Sequence, residues 1–285
     1  MSDAHSLREE SPLYHEHLLL GAVFDNENEM LDLPVCYSHP EDEPLAFVQG
    51  CALCDLTGMA NVLVAGEDVE AFVRAACACN PPQVGSCDFS AVVTGDGSVA
   101  SMPLVARTGV GECLLLDASE RGLMLHPWLA FIANIEQGGF KPFEGIRITD
   151  ETDSLVPLLL WGPQASAILG DYVASLDLLP QPGHVVSEKL DQIDCLLVAP
   201  PRLDTPCYLV LAPPMRARAL WRSFLSFAAV EPVGRRALEE QLARQLPWAS
   251  VRQGTGRLEL ALDQLLAWEL ARVEGGYIGE RALLG

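Results

Sequence analysis

The chain has 285 residues, of which 49% are hydrophobic and 20% are charged, so it can form one large or two medium globular domains. Its 39 acidic and 18 basic residues give a formal net charge of −21. Because such a chain repels phosphate backbones and anionic lipid surfaces, we expect neither a nucleic-acid nor a membrane partner. A solvated acidic surface is the simpler interpretation of the charge, and an acidic patch for a basic partner is the alternative.

The nine cysteines are predicted to be reduced thiols in the core. Residues 1–10 are polar and lack the apolar segment of an export signal, and no apolar run is long enough to cross a bilayer. We therefore expect a cytoplasmic protein, in which thiols stay reduced. Most of the cysteines lie in apolar runs, as small core residues do. The Cys51–Cys54 and Cys77–Cys79 pairs have spacings compatible with a metal or redox site, which is the less favoured alternative.

The first quarter of the chain predicts a loose tail over residues 1–10, a short helix, an acidic loop and then a strand–turn–helix unit. Ser11 is a predicted helix cap, and Gly21 is the predicted end of that helix. Residues 60–65 are apolar and rich in valine, which predicts a buried strand. The apolar residues of 69–73 recur at the three-and-four spacing of a packed helix face.

The rest of the chain predicts strands and helices in mixed order without a repeat, which indicates an α+β protein. The segment 95–97 supplies the tight turn of a hairpin, where a positive φ is needed. The Pro- and Gly-containing residues 176–188 predict a loop. The predicted strands are 89–94, 98–107, 112–117, 145–150, 195–201 and 207–214, and the predicted helices are 120–136, 215–228, 234–246 and 258–272; residues 155–169 predict a strand, a Gly-Pro turn and a helix start.

Six segments form an ordered pattern that covers almost the whole chain beyond residue 10. They are SPLYHEHLLLGA (11–22), CDLTGM (54–59), GDGSVASMPLVAR (95–107), LLLWGPQASAIL (158–169), CYLVLAPPMRARALW (207–221) and EGGYIGERALLG (274–285). In this order they resemble the motifs of the aminomethyltransferase family, which includes the T-protein of the glycine cleavage system. The resemblance implies a role in folate-dependent one-carbon metabolism.

The resemblance implies a T-protein-like α+β fold, with mixed and antiparallel sheets and packed helices around a central folate pocket. The family has three lobes, and this sequence ends where the third lobe, a C-terminal barrel, would begin, so we expect that lobe to be absent. The first lobe is expected to use residues 1–50 plus 145–250, with 51–144 inserted as the second lobe. Residues 251–285 are the expected C-terminal linker.

The resemblance also locates the catalytic positions. The family's acidic pair includes the carboxylate that orients and deprotonates the attacking nitrogen of tetrahydrofolate, and it falls here on Ser101 and Met102. Neither side chain is a base near neutral pH. Asp96, in the preceding hairpin, is the candidate substitute, although a turn aspartate usually caps its own backbone. The family's strand-end asparagine is replaced by Asp117, whose charge would repel an anionic folate tail.

The pterin-binding positions are altered as well. The family glutamate that hydrogen-bonds the pterin ring falls on Thr205, with Asp204 beside it as the candidate replacement. Arg202 takes the place of a family tyrosine, and two prolines change the path of this loop. Tyr208 matches the family pattern. A retained pterin contact and a plain turn are both compatible with these residues.

The basic residues of a further family motif, which pair with the folate carboxylate, become Leu238 and Leu242. Arg235, Arg236 and Arg244 lie nearby, where they either compensate or form a solvated helix face. Of these we take Arg236 as a candidate cofactor-binding residue. No metal site is expected.

Two functions remain open at this point. The first is a divergent one-carbon transferase that binds tetrahydrofolate or a related heterocycle and moves a methyl or aminomethyl group. The second is a non-catalytic paralogue that serves as an interaction subunit, in a homo-oligomer or with another protein. The altered site residues favour the second function, and the family resemblance favours the first.

Overall fold

Strands and helices follow one another in mixed order along the chain. The computed structural model describes residues 9–24, 31–136, 138–252 and 254–284. The predicted tail falls mostly on residues 1–8 and the predicted acidic loop on residues 25–30, and both ranges lie outside the described residues. The strands are β1 (Glu9–Glu10), β2 (Val23–Phe24), β3 (Leu31–Asp32), β4 (Pro34–Cys36), β5 (Cys51–Asp55), β6 (Ala60–Ala65), β7 (Cys87–Phe89), β8 (Val92–Val93), β9 (Val99–Ser101), β10 (Leu104–Gly109), β11 (Glu112–Asp117), β12 (Arg147–Asp150), β13 (Val156–Trp161), β14 (His184–Leu190), β15 (Ile193–Ala199), β16 (Cys207–Ala212) and β17 (Val230–Pro232).

The α-helices are short. They are α1 (Tyr14–Leu19), α2 (Glu43–Gln49), α3 (Val69–Ala76), α4 (Leu125–Ala133), α5 (Ala165–Gly170), α6 (Pro214–Phe224), α7 (Arg235–Gln245), α8 (Leu262–Ala267) and α9 (Glu280–Leu283). Turns of 3₁₀ helix occupy Glu120–Met124, Leu176–Leu178 and Ala249–Val251. In the part of the chain that the structure describes, no helix combines the length and the apolar character that crossing a bilayer requires.

Two sheets organise the molecule. The six-stranded sheet has the order β14-β15-β16-β13-β5-β17, in which only the β17–β5 pair is parallel. The five-stranded sheet has the order β12-β6-β11-β10-β7 and is antiparallel throughout. Three two-stranded pairs complete the structure. These mixed and antiparallel sheets with packed helices confirm the predicted α+β class.

The inner faces of the two sheets meet in a shared central core. Along β13, Leu159 and Trp161 belong to this central core, whereas Leu158 and Leu160 pack on the opposite face, as the two-residue period of a strand requires. The five-stranded sheet follows the same rule, with Leu114 inside. The large buried side chains of the central core include Phe47, Phe89, Met102, Trp161, Trp248 and Tyr277.

Helices cover the outer faces, so the molecule has four layers. Trp221 and Phe224 of α6 pack against the six-stranded sheet. Phe72 of α3 and Leu129 of α4 pack against the five-stranded sheet. Both faces of the central strands are therefore buried, which explains why β5, β13 and β16 consist almost wholly of apolar residues.

The segment after α7 is built into this core. Trp248, Leu265 and Tyr277 are buried members of the central core. Arg272 is 5% exposed, and its guanidinium donates hydrogen bonds to carbonyl oxygens at the end of α3 and beyond it. Its acceptors are the carbonyl oxygens of Arg74, Cys77, Ala78, Cys79 and Gly275. One cation thus satisfies carbonyls that the end of a helix leaves unpaired.

Several predicted elements are confirmed, among them the strand at 60–65, the β15–β16 pair, α6, α7 and the positive φ in the 95–97 turn, which Gly97 supplies. The loop predicted for 176–188 is wrong from His184 onward, because β14 begins there. The helix predicted for 258–272 is confined to α8. All nine cysteines are free and buried, as predicted for core residues.

The division into lobes stays a prediction. The expected boundaries, after residues 50 and 144, lie close to the starts of β5 and β12. The sheet to which each of these strands belongs therefore bears on the division. β5 pairs with β13 in the six-stranded sheet, and β12 pairs with β6 in the five-stranded sheet. By sheet membership alone, the chain would pass from one unit to the other after Asp55 and back after Asp150.

Candidate functional site

The positions of the family's acidic pair lie beside Asp117 at the end of β11. Ser101 Oγ donates a hydrogen bond of 2.6 Å to Asp117 Oδ2, which also accepts one from the Met102 backbone N–H at 3.4 Å. Asp117 Oδ1 accepts from the backbone N–H and the hydroxyl of Ser119, at 2.9 and 2.7 Å. Arg252 Nη1 lies 3.5 Å from the same oxygen. A carboxylate therefore stands next to position 101, with both of its oxygens already bonded.

This cluster is closed to solvent. Ser101 and Met102 are fully buried, and Asp117 is 2% exposed. The neighbours Ala118 and Ser119 line a large cavity, whereas Ser101, Met102 and Asp117 do not. The structure thus brings three sequence-predicted residues together, but places them behind the cavity wall.

Asp96 lies apart from this cluster in an exposed turn. Its carboxylate accepts from the Thr94 hydroxyl and from the Ser98 backbone N–H, and it pairs with Arg257 at 3.2 Å. The Thr94 hydroxyl is the main cause that lowers the pKa of Asp96 to about 2. The side chain caps its own turn, as expected for a hairpin aspartate.

The predicted pterin-binding positions line a second, smaller cavity of about 400 Å³. Thr205 Oγ1 accepts a hydrogen bond of 3.0 Å from Trp161 Nε1. Tyr208 and Ser166 share a hydrogen bond of 2.9 Å between their hydroxyls, and the Asp204 backbone N–H donates to Gln245 Oε1. The structure therefore brings Asp204, Thr205 and Tyr208 together, but not with Ser101 or with Arg236.

Arg202 ties a loop to the central core. Its guanidinium pairs with Asp88 and, at 3.5 Å, with Glu269, and it donates to the Trp268 carbonyl oxygen. It also lies over the ring of Trp248, 5.8 Å from the centroid. Burial raises the pKa of Asp88 more than Arg202 lowers it. These contacts occupy the donors of Arg202 with protein groups.

This large cavity, which we call the main cavity, has a volume of about 810 Å³. It lies between β4, the turn after β5, the segment after β11 and helix α7, and Arg236 is among its lining residues. Its apolar lining consists of Leu33, Pro34, Leu56, Met59, Ala118, Leu123, Val233, Leu238, Leu242, Ala243 and Ala249. Met59 belongs to the CDLTGM motif, and Leu238 and Leu242 occupy the positions of the family's basic pair.

A buried polar network forms one wall of the main cavity. His17 Nε2 lies 2.9 Å from Asp55 Oδ2, and the Tyr37 hydroxyl lies 2.9 Å from His17 Nδ1. Asp55 also accepts from the hydroxyls of Ser11 and Thr57, at 2.6 and 2.5 Å. Burial, chiefly, raises the pKa of Tyr37 well above its usual value, so its phenol is neutral at physiological pH. Sequence reasoning missed this network, because its members are scattered along the chain between Ser11 and Thr57.

Glu43 joins two walls of the main cavity. Its carboxylate accepts from the Tyr37 backbone N–H at 2.5 Å and from the Gly234 backbone N–H at 3.0 Å. Burial raises the pKa of Glu43 despite these donors and the nearby Arg236. A Cβ at Gly234 would lie 2.4 Å from the Val35 carbonyl oxygen, so only glycine allows this close approach of α7 to β4.

No group of three or more histidine, cysteine, aspartate or glutamate side chains in the described residues is arranged to hold a metal ion. The Cys54 and Cys77 thiols are fully buried, and burial raises the pKa of both well above the usual thiol value. Such thiols are poor nucleophiles and poor metal ligands.

Comparison with known proteins agrees with this architecture. A sequence profile described as "GCVT N-terminal domain" matches residues 13–240. An aminomethyltransferase of Rubrobacter xylanophilus is 25% identical over 228 residues, which cover 79% of this chain and 58% of that protein. An aminomethyltransferase of Chlorobium chlorochromatii is 23% identical over 259 residues, with 88% of this chain and 68% of that protein covered.

A solved structure shares the fold. It is glycine cleavage system aminomethyltransferase T from Bartonella henselae, and it superposes with a TM-score of 0.76 at 19% identity, over 97% of this chain and 74% of that chain. Two sheets joined by a central core therefore define a T-protein-like α+β protein. Because the profile covers most of the sequence, the chain belongs to the aminomethyltransferase family with the GCVT N-terminal domain. It spans about 58% of the length of the Rubrobacter relative.

Proposed function

We propose that the protein binds tetrahydrofolate, or a related reduced heterocycle, in the main cavity and takes part in transfer of a methyl or aminomethyl group. The observation that carries this proposal is the main cavity itself. Its volume of about 810 Å³ lies within the range of roughly 300–1,000 Å³ that is usual for small-molecule sites. Its walls are mainly apolar, with a few polar groups, which is the composition such sites have.

The lining suits a flat ring. Met59 comes from the turn after β5, and Leu238 and Leu242 come from α7, so apolar side chains from separate elements would hold the ring by contact. Thr57 and Ser119 supply hydroxyls to the same lining, and Arg236 supplies a cation. Polar atoms on a heterocycle therefore have donors and acceptors to meet.

The transfer step differs from that of the family pattern. Residue 101 carries no carboxylate, and the oxygens of Asp117 are bonded to Ser101, Met102, Ser119 and Arg252. An attacking nitrogen in the main cavity would lose its proton to solvent rather than to residue 101. General base catalysis contributes typically 10²–10⁴-fold, so transfer by this protein should be slower by about that factor than transfer assisted by such a base.

The same bonded carboxylate favours the second candidate function, a non-catalytic subunit that keeps the fold and interacts with another protein. Under that alternative, Asp117 is a structural group that ties β9, β11 and Arg252 together, and the main cavity needs no ligand. The two candidates differ in one measurable property, the binding of a small molecule.

The test is a thermal-shift and calorimetric titration with tetrahydrofolate. A ligand that binds only the folded state adds about 2.7 kcal/mol to the free energy of unfolding at a hundredfold excess over Kd. Ala243→Trp should abolish binding, because Ala243 is exposed at the cavity wall and an indole there would fill the space without disturbing the core. Ala219→Trp is the matched control, since Ala219 is exposed on α6 and is not part of the lining.

Binding that Ala243→Trp removes and Ala219→Trp preserves would support the proposal. The absence of any shift at millimolar tetrahydrofolate would leave the non-catalytic subunit as the better account. A cytoplasmic location is part of the proposal, because all nine cysteines are free thiols and a reducing compartment keeps them so.

A further inference from the structure

We infer that one side of the main cavity selects ligands by their N–H groups, because the hydroxyls of Thr57, Ser119 and Thr152 can only accept hydrogen bonds there. We call these three residues the hydroxyl wall. The inference deepens the proposed function and rests on it for the cavity that is occupied. It names the chemistry that the ligand edge facing this wall must have.

The same three-residue turn occurs at the ends of three strands. β5, β11 and β12 each end in an aspartate, and the second residue after it is a threonine or a serine. In each turn the backbone N–H of that later residue donates to the aspartate Oδ1, at 2.9, 2.9 and 3.0 Å in chain order. Thr57, Ser119 and Thr152 all line the main cavity. Three separate parts of the chain therefore bring a hydroxyl to the same space.

Each hydroxyl of the wall gives its proton to the aspartate of its own turn. The distance from the hydroxyl oxygen to the aspartate Oδ1 is 2.5 Å for Thr57, 2.7 Å for Ser119 and 2.6 Å for Thr152. Distances this short are typical of a hydroxyl that donates to a charged carboxylate. Because a hydroxyl has one proton and two lone pairs, each of these oxygens is left as an acceptor.

The two buried aspartates hold this direction in place. Asp55 Oδ2 accepts from the Ser11 hydroxyl at 2.6 Å and lies 2.9 Å from His17 Nε2, which we assign as protonated because an ionised carboxylate has no proton to offer. Asp117 Oδ2 accepts from the Ser101 hydroxyl at 2.6 Å. Both carboxylates are therefore surrounded by donors, and neither can return a proton to the hydroxyl wall.

The three turns meet at the start of β6. Ala60, the first residue of β6, is paired with Asp117, and Thr57 precedes Ala60 by three positions. The Asn61 backbone N–H donates to Thr152 Oγ1 at 3.3 Å, which occupies one lone pair of that oxygen. The hydroxyl wall is thus one group at one edge of the cavity, where adjacent N–H groups of a flat ring have more than one acceptor to meet.

An acceptor wall discriminates through the bonds that it leaves unmade. A ligand N–H replaces the water that a hydroxyl oxygen would otherwise bind. A methyl group in the same place leaves that oxygen without a partner, and an ether oxygen adds repulsion between lone pairs. We therefore expect an amino-substituted ring edge to be preferred over a methyl or methoxy edge of the same shape.

The experiment uses three quinoxalines that share one fused ring and are uncharged at neutral pH. 2,3-Diaminoquinoxaline offers adjacent N–H donors, 2,3-dimethylquinoxaline offers none, and 2,3-dimethoxyquinoxaline adds only acceptors. Kd is measured by calorimetry for the unaltered protein, for Thr57→Val and Ser119→Ala, which each remove one hydroxyl, and for Thr57→Ser, which keeps it. Thr94→Val is the matched control, since the Thr94 hydroxyl also donates to an aspartate but does not line the cavity.

We expect the diamino compound to bind tighter than the dimethyl compound by about fivefold for each accepting hydroxyl, the usual net value of one hydrogen bond. Thr57→Val and Ser119→Ala should each weaken binding of the diamino compound about fivefold and leave the dimethyl compound unaffected. Thr57→Ser and Thr94→Val should preserve the preference. The dimethoxy compound should bind no tighter than the dimethyl compound.

Several results would overturn the inference. They are equal affinities for the diamino and dimethyl compounds, tighter binding of the dimethoxy compound, equal effects of Thr57→Val and Thr94→Val, and binding that survives Ala243→Trp, which fills the cavity. The comparison of the three ligands needs the unaltered protein alone, so it decides the matter even where a variant is too unstable to assay.

Tetrahydrofolate, titrated in parallel, separates the inference from the proposed function. If tetrahydrofolate binds and the quinoxalines do not bind, or bind without preference for N–H groups, the inference fails and the proposed function stands. If the diamino compound shows the expected preference and tetrahydrofolate does not bind, the inference stands and the proposed function fails. If none of these compounds binds at millimolar concentration, both are refuted.

Discussion

Exchanging the groups at positions 101 and 117 should reveal a strong energetic coupling between them. In the protein, a hydroxyl at 101 donates to a carboxylate at 117 over 2.6 Å, inside a site that water does not reach. The family pattern has the opposite order, with the acid at the first position and an amide at the second. We expect Ser101→Asp and Asp117→Asn to be damaging singly and largely compensating when combined.

The magnitudes follow from the geometry. Ser101→Asp brings two buried carboxylates within roughly 3.5 Å, where repulsion at an effective dielectric constant of about 20 is about 4–5 kcal/mol. Uptake of a proton by one of them limits the loss to about 3–4 kcal/mol. Asp117→Asn removes the charge that faces Arg252 and should cost about 1–3 kcal/mol. The double variant restores one acid and one partner, so the coupling energy should be about 2–3 kcal/mol.

Urea unfolding of the unaltered protein, the two single variants and the double variant measures the coupling energy in a double-mutant cycle. The comparison requires that the slope of the free energy of unfolding against urea concentration be the same for all four. Asp96→Asn is a useful control, because Asp96 is an exposed aspartate outside the cluster and its loss should not couple to position 101. Additive effects, with a coupling energy below about 0.5 kcal/mol, would refute the view that Ser101 and Asp117 act as one buried pair.

Two further outcomes are expected. Arg272→Met should lower the free energy of unfolding by about 3–4 kcal/mol, since several buried carbonyl oxygens lose their donor. A urea titration that shows a loss below about 1 kcal/mol would contradict the stabilising role of this cation. Burial raises the pKa of Glu43 above 4.5, so the folded protein takes up this proton more readily than the unfolded chain does. The contribution of Glu43 to the free energy of unfolding should therefore increase as pH falls from neutral through the raised pKa towards 4.5. Glu43→Gln should flatten stability against pH in that window, and an unchanged slope would show that Glu43 does not titrate there.

Local patterns in the sequence predicted much of the fold. The valine-rich run at 60–65 and the paired apolar runs at 195–201 and 207–214 are strands, because buried strands require such residues on both faces. β14 escaped prediction because it is an edge strand of mixed polarity, in which five of the seven residues are exposed or partly exposed, and it follows a proline-rich loop. Its existence depends on pairing with β15, which no local pattern specifies.

The candidate site was less predictable. The family resemblance predicted positions 101 and 117 as site residues, but their direct hydrogen bond depends on how β9 and β11 are placed in space. Likewise, His17, Tyr37 and Asp55 are separated by about 20 residues along the chain and meet only through tertiary packing. A cavity has no sequence signature of its own, since the same leucines would equally suit a filled core.

The course of the chain after α7 has a consequence for biosynthesis. The backbone N–H of Ala91 bonds to the Leu270 carbonyl oxygen, and that of Arg272 bonds to the Ala78 carbonyl oxygen, so segments made early are tied to residues made nearly two hundred positions later. The growing polypeptide must therefore keep apolar surface uncovered until this later segment has left the ribosome. Contacts of such long sequence separation slow folding and prolong exposure to aggregation. A fragment cut at residue 240, where the profile match ends, would retain that open surface permanently.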